Sequence, residues 1–277
     1  SFDGMHPHSF TPKIGRIPHL ETMEEVNTLL LRDSSVREYI KSRGPGIALF
    51  LMFDAEAEKM CREQNLEVFY PPAELRARID DKVSATRIAE RAHVPSVPNV
   101  LCHVASYEEL RARAGHLGNE LVIQTRFGDS GKTTFFVASR EDWEHCQSSV
   151  SAEPEVKVMR RIRCRSAAQE ACLTRHGTIV SPLMTELIGF PELTPYRGGW
   201  CGNELGSQIF SPEIRAAACR YTEALGSEIQ RLGYKGYFEV DYLIDLDSGT
   251  LYMGEINPRI TGASSLTNIC RFAQSHI

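Results

Sequence analysis

The stretch from Gly233 to Asn268 constrains this 277-residue chain most, because it reads as two antiparallel strands that bring acidic side chains to one place. Along Tyr237–Asp245 successive side chains point to opposite faces, so Glu239 and Asp241 share one. Asp247-Ser-Gly-Thr250 is a turn, and Leu251–Ile256 returns and runs into Glu255-Ile-Asn257-Pro-Arg259. Carboxylates at 239 or 241, another at 255, an amide at 257 and a guanidinium at 259 suit a magnesium–phosphate site. Mg²⁺ takes hard oxygen ligands, one or two carboxylates with substrate phosphates, and an arginine grips a further anion. Any one of these residues alone is an ordinary solvated charge; the set at this spacing points to a site.

The spacing acid-x-acid followed by G-x-x-Y-x-x-E-I-N-P-R over Gly249–Arg259 resembles the C-terminal motif of the ATP-grasp superfamily, which includes biotin carboxylase, carbamoyl-phosphate synthetase and D-alanine–D-alanine ligase. A second match lies far upstream. Asp81–Ala92 reads as a helix with Asp81 as N-cap and apolar residues at 83, 85, 88, 89 and 92, stopped by the prolines of His93-Val-Pro-Ser-Val-Pro98. Lys82 in its first turn opposes the helix macrodipole, a mismatch that a neighbouring anion would relieve. This segment is similar to the Asp-Lys segment of the superfamily, above all of biotin carboxylase, in which the lysine reaches the nucleotide phosphates. His93 departs from the glycine usual there.

Between these motifs, Glu120–Thr125 reads as a strand, Arg126-Phe-Gly-Asp-Ser-Gly-Lys132 as a glycine-bearing loop and Thr133–Ala138 as a return strand, with Ser139 capping a helix through Cys146. A P-loop ending on Gly131-Lys132-Thr133 would need glycine at Arg126 and a helix after the loop, and neither holds. Strand–loop–strand resembles instead the ATP-grasp phosphate lid, in which Gly128, Ser130 and Gly131 would give flexibility and backbone N–H groups, and Lys132 a charge. Gln124 stands where the superfamily usually has a phosphate-contacting lysine, so phosphate affinity is expected to lean on Lys82, Lys132 or Arg126. Gln124 is also the strongest argument for a weakened or non-catalytic member.

Glu155–Arg165 resembles the hinge strand between the two ATP-binding lobes, with the backbone of Arg160 to Ile162 bonding the adenine edge and Met159 or Ile162 packing on its face. Its basic density fits equally an exposed edge strand blunted by charge. Gln169–Thr174 and Thr178–Val180 form a further hairpin. Ser181–Gly206 is long, rich in Gly and Pro and without periodicity, which marks a binding loop or lid; its Arg197, beside Gly198-Gly199, is a candidate for an anionic substrate or the γ-phosphate. Ser211 and Pro212 open a helix to Leu232 that delivers the chain into the acidic hairpin, and Ser264–Ser275 is one short helix.

The N-terminal third is plainer. Glu21–Ile40 carries weak helical periodicity, Ile47–Phe53 is a continuous apolar run suited to a buried parallel strand, Asp54 caps a helix to Gln64, and Leu66–Tyr70 is a second strand. That is a βαβ unit. His6, His8 and His19 read as exposed, with nothing to fix a metal geometry, and the first residues resemble a cut-down N-terminus without a signal layout.

Composition narrows the class. A content of 42% hydrophobic and 24% charged residues is that of a globular chain. Net charge is −5 from 31 basic against 36 acidic residues, which favours neither nucleic acid nor an anionic membrane. Eight cysteines without a C-x-x-C read as buried thiols of a reducing cytoplasm, Cys201 alone being held back as site-facing. No apolar run reaches the roughly 18 residues of a membrane span.

The resemblance implies an α/β chain with α+β lobes. It is expected to be an ATP-grasp fold of two lobes sandwiching ATP (81–160 and 161–277), preceded by a partial βαβ domain (1–80). It further implies ATP and one or two Mg²⁺ (or Mn²⁺) held by Glu255 and Asn257 with Glu239 or Asp241, the D-alanine ligase pattern leaning to Asp241. Arg259, Lys132 and Arg197 are the candidate catalytic residues. The expected reaction activates a small carboxylate as an acyl phosphate for attack by an amine. Biotin carboxylase-like carboxylation and a non-catalytic nucleotide-binding module are the alternatives, and a homo-oligomer is compatible with all three.

Overall fold

The computed structural model describes residues 9–15, 17–128, 133–206 and 209–268. The chain divides into two compact units at Arg76/Ala77.

In the first unit, the periodic stretch expected as one helix is two, α1 (Met23–Arg32) and α2 (Ser34–Arg43). Asp33 separates them: its extended backbone ends α1, and its carboxylate accepts from the N–H groups of Ser35 and Val36 to start α2. The βαβ unit is present as β1 (Gly46–Ala48), α3 (Ala55–Glu63, capped by Asp54) and β2 (Leu66–Val68), with β1 and β2 parallel. The expected buried strand over Ile47–Phe53 is corrected. β1 covers three residues, and Ile47, Leu49 and Leu51 are exposed. β1 has β2 as its one strand neighbour among the described residues, and only Phe53 is drawn inside, between Tyr70 and the guanidinium of Arg76.

α4 (Ala73–Asp80) carries the chain into the second unit, whose first helix, α5 (Lys82–Arg91), starts at the N-cap Asp81 as its sequence dictates. Its first sheet is assembled from β3 (Asn99–Cys102), β4 (Leu121–Gln124), β5 (Thr134–Val137) and β6 (Val156–Arg160), in the order β3-β6-β4-β5, antiparallel throughout. α6 (Tyr107–Ala114) and α7 (Arg140–Ser151) pack one face of it through Leu110, Trp143, Cys146 and Val150 against Leu121, Ile123, Val156 and Val158. Ser139 caps α7 in a reciprocal capping box with Asp142.

The second sheet holds β7 (Cys164–Thr174), β8 (Gly177–Val180), β9 (Met184–Ile188), β10 (Trp200–Glu204), β11 (Gly236–Asp245) and β12 (Leu251–Asn257), in the order β10-β9-β7-β11-β12 with β8 beside the far half of β7. α8 (Pro212–Arg231) covers its core face, where Thr222 bonds Gln169 and the Tyr242 hydroxyl. Two readings are corrected here. Glu155–Arg165 is not one strand: β6 ends at Arg160 and β7, in the other sheet, begins at Cys164. Ser181–Gly206 is not wholly irregular, because it carries β9 and β10, whose short polar-rich alternation lies hidden between glycines and prolines. No helix among the described residues is long and apolar enough to cross a membrane.

Candidate functional site

The acidic hairpin forms with a register that decides what faces where. Glu239 pairs with Asn257, Asp241 with Glu255 and Tyr242 with Met253, which leaves Gly254 as the extra residue of a bulge. Phe238, Val240 and Tyr242 on β11 point into the core with Leu251, Met253 and Ile256 of β12. Met253 and Ile256 are three residues apart, so strict alternation would have put Glu255 on the core face with Met253. The bulge shifts the phase and turns Glu255 and Asn257 to the face that carries Glu239 and Asp241.

Lys82 meets this face from the start of α5. Its Nζ lies 2.9 Å from Glu255 Oε2 and donates to the Gly128 carbonyl at 2.8 Å, while its backbone N–H donates to the Arg126 carbonyl at 2.9 Å. The anion that the first turn of α5 called for is thus Glu255. Burial works against the Lys82 ammonium, but Glu255, Asp80 and Asp241 outweigh it and hold its pKa above the ordinary lysine value. Burial likewise opposes ionisation of Glu255, and Lys82 overcomes it, keeping the carboxyl below its usual pKa. Arg126, expected to lend charge to phosphates, is engaged elsewhere: its Nη2 lies 2.6 Å from Asp81 Oδ2.

The other carboxyls behave differently. Burial, and then Glu186, Glu239 and Glu255, push Asp241 well above its usual pKa. Its Oδ2 accepts from Asn257 Nδ2 at 3.1 Å, and its Oδ1 is buried without a hydrogen-bond partner among the described residues. Glu239 lies directly opposite Glu170 of β7. Burial and the Glu170 carboxylate raise Glu239 to about 8. The Thr261 hydroxyl sits 2.5 Å from Glu170 Oε1 and 2.9 Å from Glu239 Oε2 and has one proton to give, so a carboxyl of this pair must carry the other proton. Glu186 on β9, which sequence reasoning missed, is also pushed well up by burial and by Glu239 and Glu255. Its signal was a lone acid in a segment read as loop.

A cavity of about 460 Å³ opens between the two sheets of this unit. One end is apolar, with Val97, Val122, Phe136, Met159, Ile162 and Leu243. The other holds Lys82, Gln124, Gly128, Glu186, Asp241 and Glu255. Arg160 also lines it; the N–H groups of Arg160 and Arg161 are already bonded to the Pro98 and Glu120 carbonyls, which leaves Ile162 as the free hinge donor among the described residues. Arg197 lines the wall with its guanidinium 4.8 Å over the Phe136 ring. Gln124 Nε2 donates to Thr134 Oγ1, and its Oε1 is buried without a partner among the described residues. Glu239, Asn257 and Arg259 do not line it, and Arg259 Nη1 lies 3.0 Å from Asp80 Oδ1. Cys201 does not face the cavity, and Ser130, Gly131 and Lys132 lie outside the described residues.

The donor set fits a hard cation: closely spaced carboxyl oxygens, the Asn257 amide and the orphaned Asp241 Oδ1. Among the described residues no three His, Cys, Asp or Glu side chains already converge as a cage.

No family model matches the chain. The α subunit of mitochondrial methylcrotonoyl-CoA carboxylase from Arabidopsis thaliana is 21% identical over 268 residues, covering 93% of this chain and 35% of that protein. Chloroplastic biotin carboxylase 2 of Populus trichocarpa is 24% identical over 226 residues, 76% of this chain and 40% of that protein. The chain therefore spans well under half the length of these relatives. Among solved structures, a biotin carboxylase complex with β,γ-ATP from Campylobacter jejuni superposes with a TM-score of 0.67 at 15% identity, over 85% of this chain and 53% of that one. An ADP complex of N5-carboxyaminoimidazole ribonucleotide synthetase gives 0.62 at 16% identity, over 84% and 58%. D-alanyl-alanine synthetase A of Vibrio cholerae gives 0.61 at 11% identity, over 77% and 64%. With two antiparallel sheets facing each other across a cavity and neighbours of this kind, the chain has the ATP-grasp fold.

Proposed function

We propose that this chain is the ATP-binding and phosphoryl-transferring part of an ATP-dependent ligase that activates a carboxylate for capture by an amine. The observation that carries this reading is Lys82, which joins the acidic floor at Glu255 to the loop carbonyl of Gly128 at one end of a cavity whose other end is apolar. Such a cavity suits a flat apolar ring at Met159 and Ile162 and a polyanion at Lys82.

A carboxylate resists attack by an amine because oxide is no leaving group, and transfer of the γ-phosphoryl supplies one. In this reading Lys82 neutralises phosphate oxygens beside Gly128, and Arg197 receives the anionic acid at the cavity wall. Arg259 steadies Glu255 and Asp241. Asp241, Glu255 and Asn257 would hold Mg²⁺, which supplies shielding of the phosphoryl charge when bound. Glu239 is committed to Glu170 and Thr261, so Asp241 is the better candidate of the two.

A second reading, carboxylation with bicarbonate as the acid, is favoured by one observation: the two curated relatives described above are carboxylases over 93% and 76% of this chain. A coupled ADP-release screen with small acids, bicarbonate, amines and biotin, with product mass measured, separates the readings. Acid-dependent ADP release that Glu255→Gln and Lys82→Ala abolish supports the first. Release that needs bicarbonate and biotin supports the second. Nucleotide binding with no release under any combination would leave a non-catalytic module.

A further inference from the structure

Lys157 is a fully buried cation that the reading above does not use. It lies at the centre of its sheet, on β6 between β3 and β4. Its strand neighbours Val156 and Val158 face the helices α6 and α7, so Lys157 and Met159 face the other way, toward the cavity. The register makes this specific. Val122 pairs with Met159 and Gln124 with Lys157, directly opposed residues share a face, and Val122, Met159 and Gln124 all line the cavity. Lys157 stands beside Gln124, and its Nζ donates to the Gly254 carbonyl at 3.2 Å. Gly254 is the bulged residue of β12, so its carbonyl is free of the strand ladder and has no side chain in the way.

An ammonium has three protons to donate, and among the described residues this one makes a single hydrogen bond. A buried charge so thinly solvated costs stability, and a leucine or methionine would fill the space better. Its nearest charges are Glu255, which favours the ammonium, and Lys82, which opposes it. Gln124, the side chain beside it at the cavity wall, is neutral.

Resting on the nucleotide reading, we propose that Lys157 is a positioning residue for the phosphate end of the site. It supplies the positive charge that a polyphosphate over Gln124 requires, acting through Gly254 and Glu255 rather than by touching the ligand. β4 presents an amide to the cavity, and β6 beside it carries the cation.

The test combines metal-free ADP affinity by calorimetry with the thermal midpoint of the ligand-free protein, for Lys157→Met, the swap Gln124→Lys/Lys157→Gln, and Lys82→Ala. Lys157→Met is expected to leave the midpoint unchanged or raised and to weaken ADP at least about tenfold, the scale of one charge contact. The swap is expected to recover most of that loss by returning the charge to the same face. ADP affinity within about twofold of wild type in Lys157→Met, with binding lost in Lys82→Ala, overturns the proposal and leaves the nucleotide reading standing. A lower midpoint with weaker binding that the swap does not rescue makes Lys157 structural and also overturns it. Failure of the wild type to bind ADP removes the nucleotide reading and the proposal together.

Discussion

Buried Lys82 and half-buried Glu255 form a charge pair 2.9 Å apart, and each sets the other's protonation against the pull of burial. The pair joins the start of α5 to the end of β12, where the helix, the loop carbonyl of Gly128 and the acidic hairpin meet. Removing one partner strands the other. Lys82→Met should therefore cost about 3–5 kcal/mol in denaturant unfolding and raise the pKa of Glu255. The double variant Lys82→Met/Glu255→Gln should recover part of that loss, because no uncompensated charge remains.

The two acids of β11 should separate cleanly. Asp241→Asn is expected to reduce the Mg²⁺-dependent gain in nucleotide affinity about tenfold or more, since one charged oxygen ligand is lost. Glu239→Gln should leave that gain within about threefold, because a glutamine can still donate to Glu170 and accept from Thr261. Magnesium titrations of ADP affinity by calorimetry read both; equal losses in the two variants would sink the assignment of Glu239 to the Glu170 pair.

The raised carboxyl makes stability fall with pH. Glu239 keeps its proton in the folded chain up to about 8, whereas in the unfolded chain it releases it near its usual 4.5. Between these values the native state binds more protons, so its stability declines as pH rises through the window. Lys157 acts with the opposite sign above it: the folded chain loses that proton near 8 and the unfolded chain near 10.5, so stability rises between them. Urea midpoints from pH 5 to 10 should show a shallow minimum near 8, flattened on its acid side by Glu239→Gln and on its alkaline side by Lys157→Met.

Gly128 has a positive φ of +141°, and a Cβ there would lie 2.1 Å from Thr133 Oγ1. Gly128→Ala should therefore destabilise by about 1–3 kcal/mol through backbone strain and displace the carbonyl that Lys82 holds. A lower thermal midpoint together with weaker nucleotide binding is the expected pair of readings.

Much of this was legible in the sequence because several signals were local. Asp54, Asp81, Ser139 and Ser211 each cap the helix their side chains announce, and the Gly249–Arg259 motif fixes a hairpin by its turn. What escaped depends on neighbours. Ile47–Phe53 reads as buried, yet an apolar run is buried only where other elements cover it. Glu186 becomes part of the acidic face only when β9 joins β7, a pairing that the glycines and prolines around it conceal. Gln124 looked like a missing charge, because the strand that sets Lys157 opposite it lies over thirty residues later and its register is a tertiary fact. Arg126 looked like a spare cation until Asp81 was found beside it.

Gly254 carries a consequence that no single side chain does. Because it is the odd residue in β12, the parity of the strand changes at that point. If β12 paired regularly through Gly254 instead of bulging there, every acid would remain and the hairpin could still close, but Glu255 and Asn257 would be handed to the greasy side while Ile256 turned toward the ligand. The chemistry of this floor thus rests on one residue being left out of the pairing, and not on its acids alone.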